Sequence, residues 1–348
     1  MKLTFDQIRS ITTGAADVME ENGQIHFYRF TRQQDQLYRD TVKWFDPDGE
    51  ASDAEFHRRS RSTAGIKLSF YTNSISLGLK AETTRGTPRT FFAFDVCVDG
   101  VCVGSMDNYS HEPLPDPYPD GEYALGHFEK TFDLGAGDKW VCIHLPWSVQ
   151  VGLKELRLDD GAWFESARPE KKLLMFGDSI TQGFHALHPS ARYAARLAQA
   201  LEMEEYNKAV GGDIFFPELA RCREYFIPDL ITVAYGTNDW SRIGRDEFRN
   251  RCRAFYRTLQ ANYPQTPIVA LSPIWRKDQE ESRAFGPFEG VEEDIKAITS
   301  EIEGITFLSG IDFVPRDPAL YGDGRLHPND EGFAVYFEHL YSAIKDNI

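Results

Sequence analysis

The stretch Leu173-Leu174-Met175-Phe176-Gly177-Asp178-Ser179 constrains the fold more than any other part of the chain. Four consecutive apolar residues leave no face for water. The run then ends abruptly in Gly-Asp-Ser, with Gly183 close behind. A short apolar run bounded by turn residues reads as a strand buried on both faces, as in parallel sheets covered by helices. In open sheets of that kind, ligands bind just beyond the carboxyl ends of the strands. A serine placed there, on a turn that leads into a helix, offers a hydroxyl and a backbone N–H to the same point, as an acyl-transfer nucleophile requires. Taken alone, Ser179 reads equally well as the N-cap of the following helix.

The chain after Lys171 repeats the same theme. Ser190 to Glu202 has helical periodicity, with Ala194, Leu197 and Leu201 on one face. Short strands are predicted around Tyr206 to Val210, over Asp229 to Asp239 with a polar end, over Ile268 to Pro273 and from Thr306, with helices over Arg245 to Asn262 and Asp330 to Ile344. Strand and helix in alternation predict a doubly wound, three-layer α/β domain. Polar residues recur where its strands end. Gly212, in Val210-Gly211-Gly212-Asp213, lets backbone approach a ligand and offers an N–H. Asn238, in Gly236-Thr237-Asn238-Asp239, offers a side-chain amide, and with the Ser179 N–H these make a three-donor oxyanion hole. His327, in Leu326-His327-Pro328-Asn329-Asp330, is placed to take the serine proton. Each residue singly has a plainer role as turn, cap or locally satisfied imidazole. Four of them at successive strand ends outweigh that account.

Those four stretches resemble the four blocks of the SGNH (GDSL) hydrolases, over about residues 171–348. The resemblance implies a flavodoxin-like sheet and a cofactor-free, metal-free serine esterase mechanism. It places the nucleophile at Ser179, oxyanion donors at Ser179, Gly212 and Asn238, and the base at His327. One position departs from the family pattern. The triad aspartate normally stands three residues before the histidine, where this chain has Gly324, and Asp323 stands four before. Either the loop bulges so that Asp323 reaches the ring, or a backbone carbonyl orients His327 and the site works as a dyad. An anionic partner best stabilises an imidazolium, which favours Asp323. Asp178, Trp240 and Trp275, each following a strand directly, are taken as substrate-facing, although tryptophans in such places more often serve packing. A metal held by His185, His188 and His327 is not expected, because no carboxylate or thiolate shell accompanies them.

Residues 1–165 read differently. Segments such as Ile66 to Tyr71 and Ile75 to Lys80 alternate apolar with polar or small residues. Thr90 to Val98 turns at Asp99-Gly100 into Val101-Cys102-Val103, a hairpin signal. An antiparallel sandwich or jelly roll is predicted, as an accessory domain ahead of a hydrolase domain at 166–348. It is similar to the β-sandwich that precedes such domains in carbohydrate esterases and in a salicylyl-type acyltransferase. Phe45 to Ala64 and Asp107 to Tyr123 are expected to be long solvated loops.

Composition sets outer bounds. Of 348 residues 41% are hydrophobic, and the net charge of -16 argues against nucleic acid or an anionic membrane as partner. The amino terminus lacks a continuous apolar segment, so a cytoplasmic protein is expected. An oligomer is compatible with the sequence. Five cysteines are expected to be free thiols, although Cys97 and Cys102 face each other across the hairpin and a bridge there is conceivable. The leading expectation is a serine esterase acting on small acyl, above all acetyl, esters of a carbohydrate or glycoside. The alternatives are an acyltransferase using the same acyl-enzyme and a glycan-binding protein with a degenerate catalytic domain.

Overall fold

The computed structural model describes residues 1–40, 53–110, 114, 118 and 122–347. Residues 171–347 form the α/β domain. Its five parallel strands are Lys171–Gly177, Met203–Asn207, Leu230–Ala234, Ile268–Leu271 and Ile305–Leu308. They lie in the order second, first, third, fourth, fifth, the flavodoxin-like arrangement. The strand that carries the nucleophile therefore sits inside the sheet, at the point where the winding reverses. Its alternation explains the uninterrupted apolar run. Leu173 and Met175 pack into the hydrophobic layer on one face of the sheet, and Leu174 and Phe176 into the layer on the other.

The first half of the chain builds two antiparallel sheets face to face. One runs Thr12–Thr13, Lys67–Thr72, Lys139–His144, Ala93–Val98, Val101–Asp107, with Phe164–Ser166 also paired to Lys67–Thr72. The other contains Asp17–Glu21, Gln24–Tyr28, Val149–Leu158, Ser76–Arg85 and Gly126–Asp133. Leu68, Phe70, Val141 and Ile143 of the first sheet meet Leu77, Leu79, Val151 and Leu153 of the second in one core. The long strand Val149–Leu158 and the capped helix Phe5–Ile11 lie outside the alternating segments that signalled strands.

Two expectations require correction. Of the segment expected to be a solvated loop from Phe45 to Ala64, residues 45–52 lie outside the described residues, but Asp53–Ser60 is a helix. Phe56 and Ser60 to Ala64, apart from half-buried Arg61, are buried. Its serines and arginines read as solvent-facing, yet they supply polar contacts across the domain interface. Second, Cys97 and Cys102 are directly opposed in the hairpin register and joined by a disulfide, while Cys142, Cys222 and Cys252 are free and buried. No helix among the described residues is long and apolar enough to cross a membrane.

The two halves are not loosely tethered. Phe30, Tyr38 and Phe56 join the hydrophobic layer on one face of the parallel sheet, and Ala64, Phe91, Tyr118 and Trp147 join the other. Arg29, 1% exposed, donates to the carbonyls of Asn207 and Ala209 at 2.9 and 2.8 Å and to that of Ser62 at 2.7 Å. A buried guanidinium loses its hydration and must recover it in hydrogen bonds, so this contact fixes how the domains meet.

Candidate active site

Ser179 opens a single-turn helix, Ser179–Gln182, at the carboxyl end of its strand. Asp178 caps that helix: its Oδ1 accepts from the Ile180 N–H at 2.9 Å, and the side chain is 2% exposed. Burial pushes the Asp178 carboxyl up to about 7, and buried Asp239 likewise. Asp178, expected to face a substrate, is buried and caps the nucleophile turn.

The Ser179 Oγ lies 2.8 Å from Nε2 of His327, and His327 Nδ1 lies 2.6 Å from Oδ2 of Asp323. The offset aspartate reaches the ring because the loop turns at Gly324, whose φ of +67° suits glycine, and the Gly324 N–H closes back on the Tyr321 carbonyl at 2.9 Å. The other carboxylate oxygen, Oδ1, accepts the backbone N–H groups of Arg325, Leu326 and His327 at 3.0, 2.8 and 3.1 Å. One aspartate therefore folds the loop and meets the imidazole. Burial alone would raise its carboxyl, but the hydrogen bond from His327, the electrostatic pull of the His327 and His185 imidazoles and the Leu326 N–H outweigh burial and hold it well below the usual range. His327 is itself lowered by burial, against the opposing pull of Asp323. A lowered imidazole stays neutral, and so able to take a proton, further into acid.

Sequence reasoning weighed His185 only as a metal ligand and did not single out Phe184 or Arg89, which with His185 brace this histidine. The His185 ring stacks on His327 with centroids 5.1 Å apart and planes 14° apart, and Phe184 lies 5.6 Å away. Arg89 Nε donates to His185 Nε2 at 3.2 Å, and burial holds His185 neutral. His188 is turned elsewhere, with Nδ1 2.7 Å from Asp330 Oδ2; the Asp330 hydrogen bond raises it to about 9. Ligand-type atoms of His185, Asp323 and His327 do fall within 4.8 Å of one another. Yet the Asp323–His327 pair is closed on itself, and a cation beside His185 would face the Arg89 guanidinium. The donor set does not fit a metal.

The donor side of the site is built from both halves. Gly212 sits at φ +85°, where any side chain is strained, and an added Cβ would lie 2.8 Å from Arg59 Nη1. Arg59 donates to the Gly211 carbonyl at 2.8 Å, and Arg242 donates to that of Gly212. In a trans peptide the carbonyl and the next N–H point in opposite directions, so anchoring the Gly211 carbonyl on Arg59 aims the Gly212 N–H away from that arginine. Gln182 accepts the Gly211 N–H at 2.7 Å and donates to Ser62 at 2.8 Å, tying the nucleophile helix to the glycine turn and the first domain. Asn238 spends one amide hydrogen on the Asp213 carbonyl at 3.0 Å, and an amide has a second to give. Asp213 is in turn held by Tyr38 Oη at 2.8 Å. None of these first-half partners carries a local motif. Only their chemistry, arginine and hydroxyl groups in an otherwise featureless stretch, could have drawn attention.

The two tryptophans part company. Trp240, 1% exposed, is packed edge-on to Phe288, and its Nε1 donates to the Gly286 carbonyl at 2.8 Å. It is a core residue and offers no face to a ligand, because the helix Thr237–Arg242 turns it inward. Trp275 is half-buried against Tyr321, with ring centroids 5.1 Å apart, beside the loop of Asp323. Ser179, His327 and Asn238 are each no more than 9% exposed.

Residues 175–335 match the profile of the GDSL-like lipase/acylhydrolase family. No curated protein matches the chain. Among solved structures, a salicylyl-acyltransferase from a tetracycline biosynthetic pathway superposes with a TM-score of 0.74 at 22% identity, over 97% of this chain and 95% of that one. A protein from Bacteroides ovatus assigned as a GDSL-like lipase gives 0.74 at 20%, over 99% and 97%. A family two carbohydrate esterase from Clostridium thermocellum, in complex with cellohexaose, gives 0.60 at 15%, over 82% and 93%. At these identities the likeness is one of fold, and it extends across both domains.

Proposed function

Residues 175–335 are a GDSL-like lipase/acylhydrolase domain, and from that premise we propose that the protein is a serine esterase. In this reading it removes small acyl groups, acetyl above all, from a carbohydrate or glycoside. The observation that carries the proposal is the continuous relay from Ser179 Oγ through His327 to Asp323, at 2.8 and 2.6 Å. His327 Nε2 takes the hydroxyl proton as Oγ attacks the ester carbonyl. The N–H groups of Ser179 and Gly212 and the Asn238 amide receive the oxygen that gains charge. The imidazolium then returns its proton to the departing alcohol, leaving an acyl-enzyme, and a water deprotonated by the same nitrogen releases the acid. The burial of Ser179 supports a short acyl group, and half-buried Trp275, against Tyr321 in the loop that carries Asp323, is the tryptophan we assign to border it.

A second reading is transfer of the acyl group to an alcohol other than water. It is favoured by the full-length likeness to the salicylyl-acyltransferase, because transfer differs from hydrolysis in how well a pocket excludes water and holds an acceptor. The test is a panel of p-nitrophenyl esters and acetylated sugars with wild type and Ser179→Ala. Acetate esters should turn over faster than long-chain esters, and the variant should be inactive. Undiminished turnover by Ser179→Ala would end the proposal. Acylated products formed when sugar or polyol acceptors are present would move the assignment from hydrolase to transferase.

A further inference from the structure

A cavity of about 740 Å³ opens at the amino ends of the parallel strands, away from the catalytic rim. Lys171 lines it, while Gly177, at the other end of the same strand, precedes the Asp178–Ser179 turn. Six strand steps between them place the cavity about 20 Å from the nucleophile turn. Its other wall is the outer face of a sandwich sheet. Lys67, Ser69 and Tyr71 stand directly opposite His144, Cys142 and Trp140 in register, and alternation turns all six away from the core that takes Leu68, Phe70, Val141 and Ile143.

Two buried polar atoms on these walls have no hydrogen-bond partner: His144 Nδ1, in a residue 5% exposed, and Glu204 Oε2, in a residue 2% exposed. Native interiors rarely leave such atoms unmet. Glu204 uses its other oxygen to accept the Gly14 N–H at 2.8 Å; the Tyr206 hydroxyl interacts with the same carboxylate, and Arg168 Nε forms an ion pair with Oε2 at 3.7 Å, beyond hydrogen-bond length. Its neighbour Glu205 shows what full satisfaction looks like here, with Arg192 at 2.9 Å, Asn207 at 3.2 Å and Lys67 at 3.3 Å.

Charge selects among possible occupants. A cationic ligand suits Glu204 but meets Lys67, Arg168 and Lys171, and an anionic one meets Glu170, Glu202 and Glu204. Hydroxyl groups suit both kinds of unmet atom, donating to the carboxylate and either donating to or accepting from the imidazole. Burial, with Lys67 beside it, holds His144 neutral, so it keeps that choice. Trp140, fixed by its Nε1 donating to Ser69 Oγ at 2.9 Å, and half-exposed Tyr71 line the cavity with aromatic side chains, which suit C–H surface. The volume lies within the range of small-molecule sites.

We propose that this cavity is a second, non-catalytic binding site for a neutral polyhydroxylated small molecule of about monosaccharide size. The site stands whether or not Ser179 is a nucleophile.

The test is saturation-transfer NMR on the full chain with D-glucose, D-xylose and myo-inositol, against gluconate and glucosamine as charged counterparts. Glu204→Gln and Tyr71→Ala probe the cavity, and Asn238→Ala controls for the catalytic rim. Tyr71 is 48% exposed, so its variant keeps the fold even where Glu204→Gln does not, and thermal unfolding checks each protein. The neutral compounds should bind, with affinity weakened about tenfold or more by either cavity variant and unchanged by Asn238→Ala. Absence of binding by all three neutral compounds, loss of binding in Asn238→Ala alone, or tighter binding of a charged counterpart would overturn the assignment.

Discussion

The parallel-sheet half carries every atom proposed to react, and it carries them in short local blocks at strand ends: Ser179, Gly212, Asn238, and Asp323 with His327. The sandwich half carries none of them, yet it reaches the same site through single residues scattered along the chain. Arg29 holds the carbonyls of Asn207 and Ala209, Tyr38 holds Asp213, Arg59 holds Gly211, and Arg89 holds His185, at separations of 96 to 180 positions. The difference teaches a division of labour. Chemistry demands particular atoms at particular strand ends, whereas bracing demands only that some donor arrive from outside, and the fold chooses which.

That division orders the expected effects. Ser179→Ala removes the atom that bonds to substrate and should lower kcat by on the order of 10⁶-fold, read from initial rates on p-nitrophenyl acetate. Asp323→Asn keeps the shape of the loop but favours the wrong tautomer of His327, with an expected loss of about 10⁴-fold. A loss within about tenfold would show that a backbone carbonyl orients the ring. Arg59→Met acts on the site from the other half, through the Gly211 carbonyl. It should reduce kcat by about tenfold with KM little changed, because the misaimed Gly212 N–H serves the transition state more than bound substrate. An Arg59→Met effect as large as that of Asp323→Asn would break the distinction between reacting and bracing halves.

The smallest effect is on pH dependence. His327 must be neutral to take the serine proton, so kcat/KM should rise with pH through an acid limb whose midpoint lies below the ordinary histidine value of 6.5. Protonation below that midpoint removes the base, and activity is lost as pH falls. Asp323 raises the ring against burial, so in Asp323→Asn the residual activity should show its limb shifted further into acid. A shift toward neutral pH would contradict the assigned hydrogen bond.

How much of this was legible follows the same line. Leu173 to Ser179 announced its strand because a sheet covered on both faces admits no polar residue in that run. The helix Arg245–Asn262 could be read because its period is undisturbed. Asp323 was legible as a residue type and ambiguous as a position, since only the turn at Gly324 shows how a four-residue spacing reaches the ring. Arg59 and Ser62 were misread as solvated because burial of polar side chains depends on partners that local sequence does not display. Trp240 and Asp178 follow strand ends as reacting groups do, but a single helical turn rotates Trp240 into the core, and capping draws Asp178 under the serine.

The central claim is that Ser179, His327 and Asp323 act as one nucleophilic unit. The direct measurement is the rate and location of covalent labelling by a fluorophosphonate, followed by intact mass and peptide mapping for wild type, Ser179→Ala and Asp323→Ala. The account predicts one adduct on Ser179 in the wild type, none in Ser179→Ala, and labelling of Asp323→Ala slowed at least about a hundredfold, or about 2.7 kcal/mol of barrier. An adduct elsewhere, no adduct at all, or Asp323→Ala labelled at the wild-type rate would contradict it.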